Sequence, residues 1–263
     1  MDTENIEKSW HSSEFFWPSV VLGASLIVAT MAGGQIFLKA KQLSNVLSVT
    51  GSAEQMVISD TVKWQSAISR SVDSASLKEG SSLMNKDQKI VSEFLKESGV
   101  MEQEITVSPV TVSPVCESQN NIYYDKFGNQ SCGSSRTAGY NLQQVITVES
   151  QKVPEVTKIS QTASDYFIGQ GVIFTTQSLE YYYSKLADLR LDLLSRATVD
   201  AKARAEKIVE STGKQIESLQ AASMGVFQVT AKNSVEVSDY GVYDTASLEK
   251  KVTGVVRVSF SIK

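Results

Sequence analysis

Along the chain the apolar residues change period several times, and each change marks a predicted element. Residues 15–38 carry no charge at all, bounded by Glu14 and Lys39. From Leu47 to Ile58 and from Thr61 to Val72 the pattern turns to strand-like segments. In the second, Val62, Trp64 and Ser66 alternate with Lys63 and Gln65, the two-residue period of a half-buried strand, and Asp60 falls at the turn. Met84, Val91, Phe94 and Leu95 then share one face at helical spacing, with Gly99 as the stop. Glu104 to Val115 alternates again, but Pro109 and Pro114 remove ladder donors, which predicts an edge strand or one with bulges.

Past residue 132 the pattern repeats. Thr137 to Ser150 reads as a strand, and a helix follows with Pro154 at its start and Val156, Ile159, Ala163 and Phe167 in one stripe. Gly169 and Gly171 end it, and Val172 to Tyr183 returns as a strand. The longest helix places Leu186, Leu189, Leu193, Ala197 and Ala201 on one face and stops at Gly213. Ser218 to Lys232 and Val252 to Ile262 close the chain as strands. Between them the polar connection 233–252 carries Val235, Val237, Tyr240, Val242 and Tyr243, a candidate contact arm or a plain mobile loop. The predicted class is α+β: an N-terminal transmembrane helix, then two strand–helix–strand units with helices packed on a largely antiparallel sheet.

The uncharged run has three readings: a retained anchor, a cleaved signal and a buried core helix. A cleaved signal has a basic leading segment and a shorter apolar stretch, whereas here residues 1–14 hold four acids against one lysine. As a helix, the run rises about 36 Å, enough to cross a hydrocarbon layer with some tilt. Phe15, Phe16 and Trp17 would sit at the headgroups. Length favours a retained anchor; Thr30-Met31-Ala32 keeps a cleaved signal open. The predicted organisation is a tail at 1–14, a signal-anchor transmembrane helix at 15–39, a linker at 40–45 and a folded domain at 46–263. One lysine before the run against two after it weakly favours a cytoplasmic domain, but the cysteines point the other way.

Cys116 and Cys132 are the two cysteines of the 263-residue chain, and they flank a polar segment without clear periodicity. An even pair around one loop predicts a disulfide and an oxidising compartment. Net charge −4 gives no footprint for nucleic acid. The sole histidine, His11, lies upstream of the apolar run, so a Ser-His-Asp or Cys-His arrangement has no base in the domain. No catalytic residue, metal site or cofactor site is predicted. Glu93, Glu97, Asp200 and Glu206 read as solvated helix positions, with Asp200 and Arg204 as an i,i+4 pair. Gly169-Gln170-Gly171 reads as a turn, and Tyr181 to Tyr183 as packing aromatics.

The order of three stretches resembles the SIMPL-domain family of bacterial envelope proteins: "VTGSAE" from Val49, the Ala-rich "ATVDAKARAEKIVESTG" from Ala197, and the closing "GVVRVSFSI". The chain departs from that pattern in its Cys116–Cys132 loop, which reads as an insertion, in "KKVTG" before the last strand, and in its anchor-like start. The resemblance implies an exported, non-enzymatic protein tied to envelope structure or stress, forming a homo-oligomer of ring or channel type. With the anchor, it places the chain in a bacterial inner membrane through one span, its domain in the periplasm, with lipid, its own copies and other envelope proteins as partners. The rival expectation is a secreted periplasmic binding protein for a peptide or small molecule. A hydrolase working through carboxylates alone is a third.

Overall fold

The computed structural model describes residues 16–42, 45–118, 122–128, 130–133 and 136–263; within the first helix, side chains are described at 18 and 20–34. Helix α1 runs Phe16–Gln42. Strands β1 (Val46–Ile58) and β2 (Thr61–Asp73) precede α2 (Leu77–Glu97), and β3 (Ile105–Val107) and β4 (Thr111–Cys116) follow. After β5 (Tyr123–Tyr124) and β6 (Gln130–Ser131) come β7 (Thr137–Ser150), α3 (Val153–Gly169), β8 (Ile173–Tyr182) and α4 (Leu186–Glu210). Strands β9 (Ile216–Met224), β10 (Gln228–Ala231) and β11 (Glu249–Ile262) end the chain. The α+β class and its antiparallel pairing stand as predicted.

The transmembrane assignment at 15–39 does not follow in the same way. A helix forms there, but among the described residues no helix is long and apolar enough to cross a membrane. Helix α1 also continues through Ala40–Gln42, so the predicted linker at 40–45 is in part helical. The predicted tail at 1–14 lies outside the described residues.

Two compact units are built from discontinuous stretches. One comprises residues 53–196 and 225–255 and holds a five-stranded sheet ordered β3–β7–β2–β8, with β4 also on β7. Each strand–helix–strand unit is split by a strand of the other: β7 lies between β2 and β3, and β2 lies between β7 and β8. This interleaving is the split βαβ arrangement. It gives both halves one core in which Val62, Trp64 and Ile68 of β2 meet Met84, Val91 and Leu95 of α2 and Val156, Ala163 and Phe167 of α3. The strand period of two and the helical stripes therefore point at one another. Trp64 also finds a polar partner, donating its indole N–H to Thr176 at 3.2 Å.

Pro109 divides the predicted strand at 104–115. Both pieces, β3 and β4, pair with β7 at the sheet's edge, where a missing N–H is tolerated. The segment between the cysteines is a two-stranded ribbon of β5 and β6 rather than a bare loop, and the disulfide closes it with Cα atoms 5.4 Å apart. Opening a loop of this length to Ser at both cysteines should cost about 3 kcal/mol in the chain-entropy account. Urea unfolding of the double variant against the parent reads that loss directly, and an unchanged midpoint would show the ribbon to be energetically idle.

The other unit comprises, among the described residues, 16–42, 45–52, 197–224 and 256–263. Here β9 pairs antiparallel with β11 from Ile216↔Ile262 to Met224↔Val256, and Ile262 donates its N–H to Asn45 beside β1. Val256, Val258 and Phe260 are buried. The predicted strand at 218–232 is two strands, because the β9–β10 side carries one more residue than β11 between the two registers, a bulge at Gly225 to Phe227.

Candidate functional site

The residues that distinguish this sequence meet in the unit holding the start of β1 and the second half of α4. Ala197, Ala201 and Ala205 recur every four residues along one face of α4 and are fully buried. Their small size lets the helix lie almost on the strand. Gly51 occupies the point of closest approach, where a methyl group would overlap the carbonyl oxygen of Ala197 and the backbone of Ala201. Next to it, Ser52 donates its backbone N–H to Asp200 Oδ2 at 2.8 Å. Arg204 holds the same oxygen at 2.8 Å, as the i,i+4 spacing predicts.

Asp200 is therefore more than a solvated helix position: it clasps helix to strand. The bond from Ser52 first, and that from Arg204 second, hold its carboxyl below the usual carboxylate range against a small opposing effect of burial. A carboxyl depressed in the folded state adds stability above its unfolded value near pH 4, which is lost as pH falls through the folded value. Asp200→Asn should therefore flatten the acid limb of a stability–pH curve below about pH 4, which urea midpoints at successive pH values would record. A limb identical in both proteins would remove Asp200 from the account.

Several titratable groups in the other unit are likewise committed to structure. Among the described residues Asp87 is the one carboxylate in the buried class, and Arg70 grips it through Nε and through Nη2 at 2.8 Å. Arg70 Nη2 also donates to Gly171 O at 2.9 Å, which ties the Gly169–Gly171 turn to β2 and α2. Tyr181 is buried with its hydroxyl 3.1 Å from that of Thr157. Tyr182 donates to Glu180 at 2.6 Å, and that bond first, with burial second, pushes the phenol up to about 12. A phenol held there is a poor proton donor or nucleophile at neutral pH. Tyr181 is buried and Tyr182 lies against the ring of Tyr243, as their place at a strand end suggests.

The clefts are open and modest. One of about 490 Å³ is lined by Asp73, Ser76 and Glu79 at the start of α2; another of about 470 Å³ is lined by Asp60, Pro154 and Lys185. In the second, Asp60 is occupied by Ser184, which donates through N at 2.8 Å and Oγ at 2.7 Å. Among the described residues no group of three or more His, Cys, Asp or Glu side chains is placed to hold a metal ion.

The glycine–alanine contact is what inspection of the sequence alone missed. Its signal was present in the four-residue repeat of Ala197, Ala201 and Ala205 and in a glycine inside a strand, a mark of close backbone approach. No curated protein matches the chain. The family profile SIMPL, described as a protein of unknown function (DUF541), matches residues 47–261. That span takes in the first two stretches whole and the closing one up to Ser261, from Val49 through the α4 alanines to the last strand, and the chain belongs to the SIMPL family.

Proposed function

We propose that this SIMPL protein is a membrane-tethered module of the bacterial envelope that acts by assembling with its own copies, not by catalysis. The observation that carries the reading is the surface of α1. Val20, Val21, Leu22, Leu26, Ile27, Val28 and Met31 are all exposed, and three consecutive positions 100° apart already point to three sides. A helix apolar all round is stable only inside a protein core or a bilayer. The described side chains fall short of a span by themselves; the uncharged run 15–38 in the sequence supplies the length. The disulfide suits an oxidising compartment, hence a periplasmic domain on an inner-membrane anchor.

Two features support assembly. In the unit that holds the start of β1, β9 and the end of β11, the outer edges of β1 and β9 are without a paired strand among the described residues. Open edges are templates for another strand, and tethering in two dimensions raises the effective concentration of copies. Against catalysis stands the commitment of Asp87, Asp200 and Asp60 to ion pairs and turns. Light scattering on the detergent-extracted full chain should give a mass that is a multiple of 28.7 kDa. Mass spectrometry of its N-terminus should show residues 15–39 retained. A monomer beginning after Ala32 would overturn both parts and favour a secreted binding protein.

A further inference from the structure

Residues 232–248 leave β10 and return to β11 as a strap, the connection read above as contact arm or loop. Its outward side is bare: Val235 is 93% and Tyr240 97% exposed. Its inward side is held almost wholly by its main chain. Val229 N–H donates to Val242 O and Val229 O accepts from Asp244 N–H, each at 2.8 Å. Tyr181 N–H donates to Thr245 O at 2.7 Å. Three side chains then reach strap carbonyls: Gln228 to Ser238 O at 2.7 Å, Lys250 to Asp244 O at 2.6 Å and Lys251 to Ser234 O at 3.0 Å.

Two properties of this junction point past a plain loop. The groups on the sheet mostly address backbone carbonyls, which any extended peptide offers; the strap side chains they meet are the Asp244 carboxylate, 4.0 Å from Lys250, and Lys232, which donates to Glu249 at 2.6 Å. The junction is also left polar and under-satisfied. Gln228 Oε1, Thr230 Oγ1 and Asp244 Oδ2 are buried without a hydrogen-bond partner, three of five such atoms among the described residues. Lys250 is 1% exposed with the Asp244 carboxylate 4.0 Å away. Buried polar groups are nearly always paired, and partly satisfied networks oppose the contact they sit in.

We propose that this face of β10 and β11 is a cradle for the main chain of an extended peptide, and that the strap fills it in cis as a releasable occupant. A strand-like peptide would take the edge of Val229 by strand addition, its carbonyls would meet Gln228, Lys250 and Lys251, and sequence preference would be loose apart from an acid beside Lys250. The strap competes at the millimolar effective concentration of a short tether, so the cradle stays closed to weak ligands.

The first test is hydrogen exchange on the full chain in detergent. The amides of Val229 and Asp244, which bridge strap and cradle, and that of Tyr181 on β8, which donates to the strap, should exchange at least tenfold faster than ladder amides between β2 and β7, through local opening. Equal protection would mean that the strap leaves only on global unfolding, and would overturn the proposal. The second uses a fluorescein-labelled peptide of residues 234–248. Replacing residues 234–245 with a Gly-Ser linker of equal length should raise its affinity at least tenfold over the parent. Failure to bind that variant, with exchange in the five-stranded sheet unchanged, would also overturn it. Should the variant not fold, the exchange result on the parent decides.

Discussion

Gly51→Ala should destabilise the folded chain by about 3 kcal/mol, the upper part of the range for overpacking a tight contact. The added methyl group would meet main chain, the Ala197 carbonyl and the Ala201 amide and Cα, and not a side chain that could turn away. Relief requires α4 to lift off the strand, and lifting it opens gaps behind Ala197, Ala201 and Ala205, all now fully buried. The same movement stretches the bond from Ser52 to Asp200. No truncation within α4 rescues the change, because alanine has no further side chain to remove that bears on the clash. Gly169→Ala at the end of α3 is the control: nothing lies within 4 Å of its added carbon. There alanine should be neutral or gain up to about 1 kcal/mol from helix propensity. Urea midpoints of both variants at constant slope separate close approach from a general cost of losing glycine. A Gly51→Ala midpoint equal to the parent's would disprove the contact.

Most of this architecture could be read along the chain, and the exceptions share a cause. Strand and helix periods placed β2, β7, α2, α3 and α4 because each buries one face, and burial on one face writes its period into the residues. Local signals also placed the proline-bearing edge of the sheet, though not its division at Pro109, and the Asp200–Arg204 pair. What escaped depends on partners distant in sequence. The bulge at Gly225 to Phe227 exists only relative to the register of β11. The interleaving of the two strand–helix–strand units is a choice of strand order, which alternation does not encode. Asp200 looked like one more exposed acid because its second partner, Ser52, lies far back in the chain. The strap was legible only as a polar connection, contact arm or loop, since most of the groups that hold it contact its main chain and so impose little pattern on its side chains.

Removing Arg70 should hurt the protein more than removing Asp87, although the two form one ion pair. The asymmetry follows from burial: the Asp87 side chain is 2% exposed and that of Arg70 26%. Arg70→Ala strands a carboxylate inside α2's buried face among Met84 and Val91, and breaking a buried pair from one side costs about 3–5 kcal/mol. Asp87→Ala leaves a guanidinium that still donates to Gly171 O and can turn its remaining groups to water, so its loss belongs at the lower end of that range. The double change Arg70→Met with Asp87→Leu removes both charges and keeps apolar volume. It should recover most of the stability, since well-packed apolar replacements of buried pairs are often neutral or better. What it does not restore is the tie from β2 to the turn after α3, so the amide of Val172, bonded to Phe167 O at that turn, should exchange faster in the double variant even where its urea midpoint matches the parent. Equal losses from the two single changes would mean that the pair sits in water, contrary to the burial of Asp87.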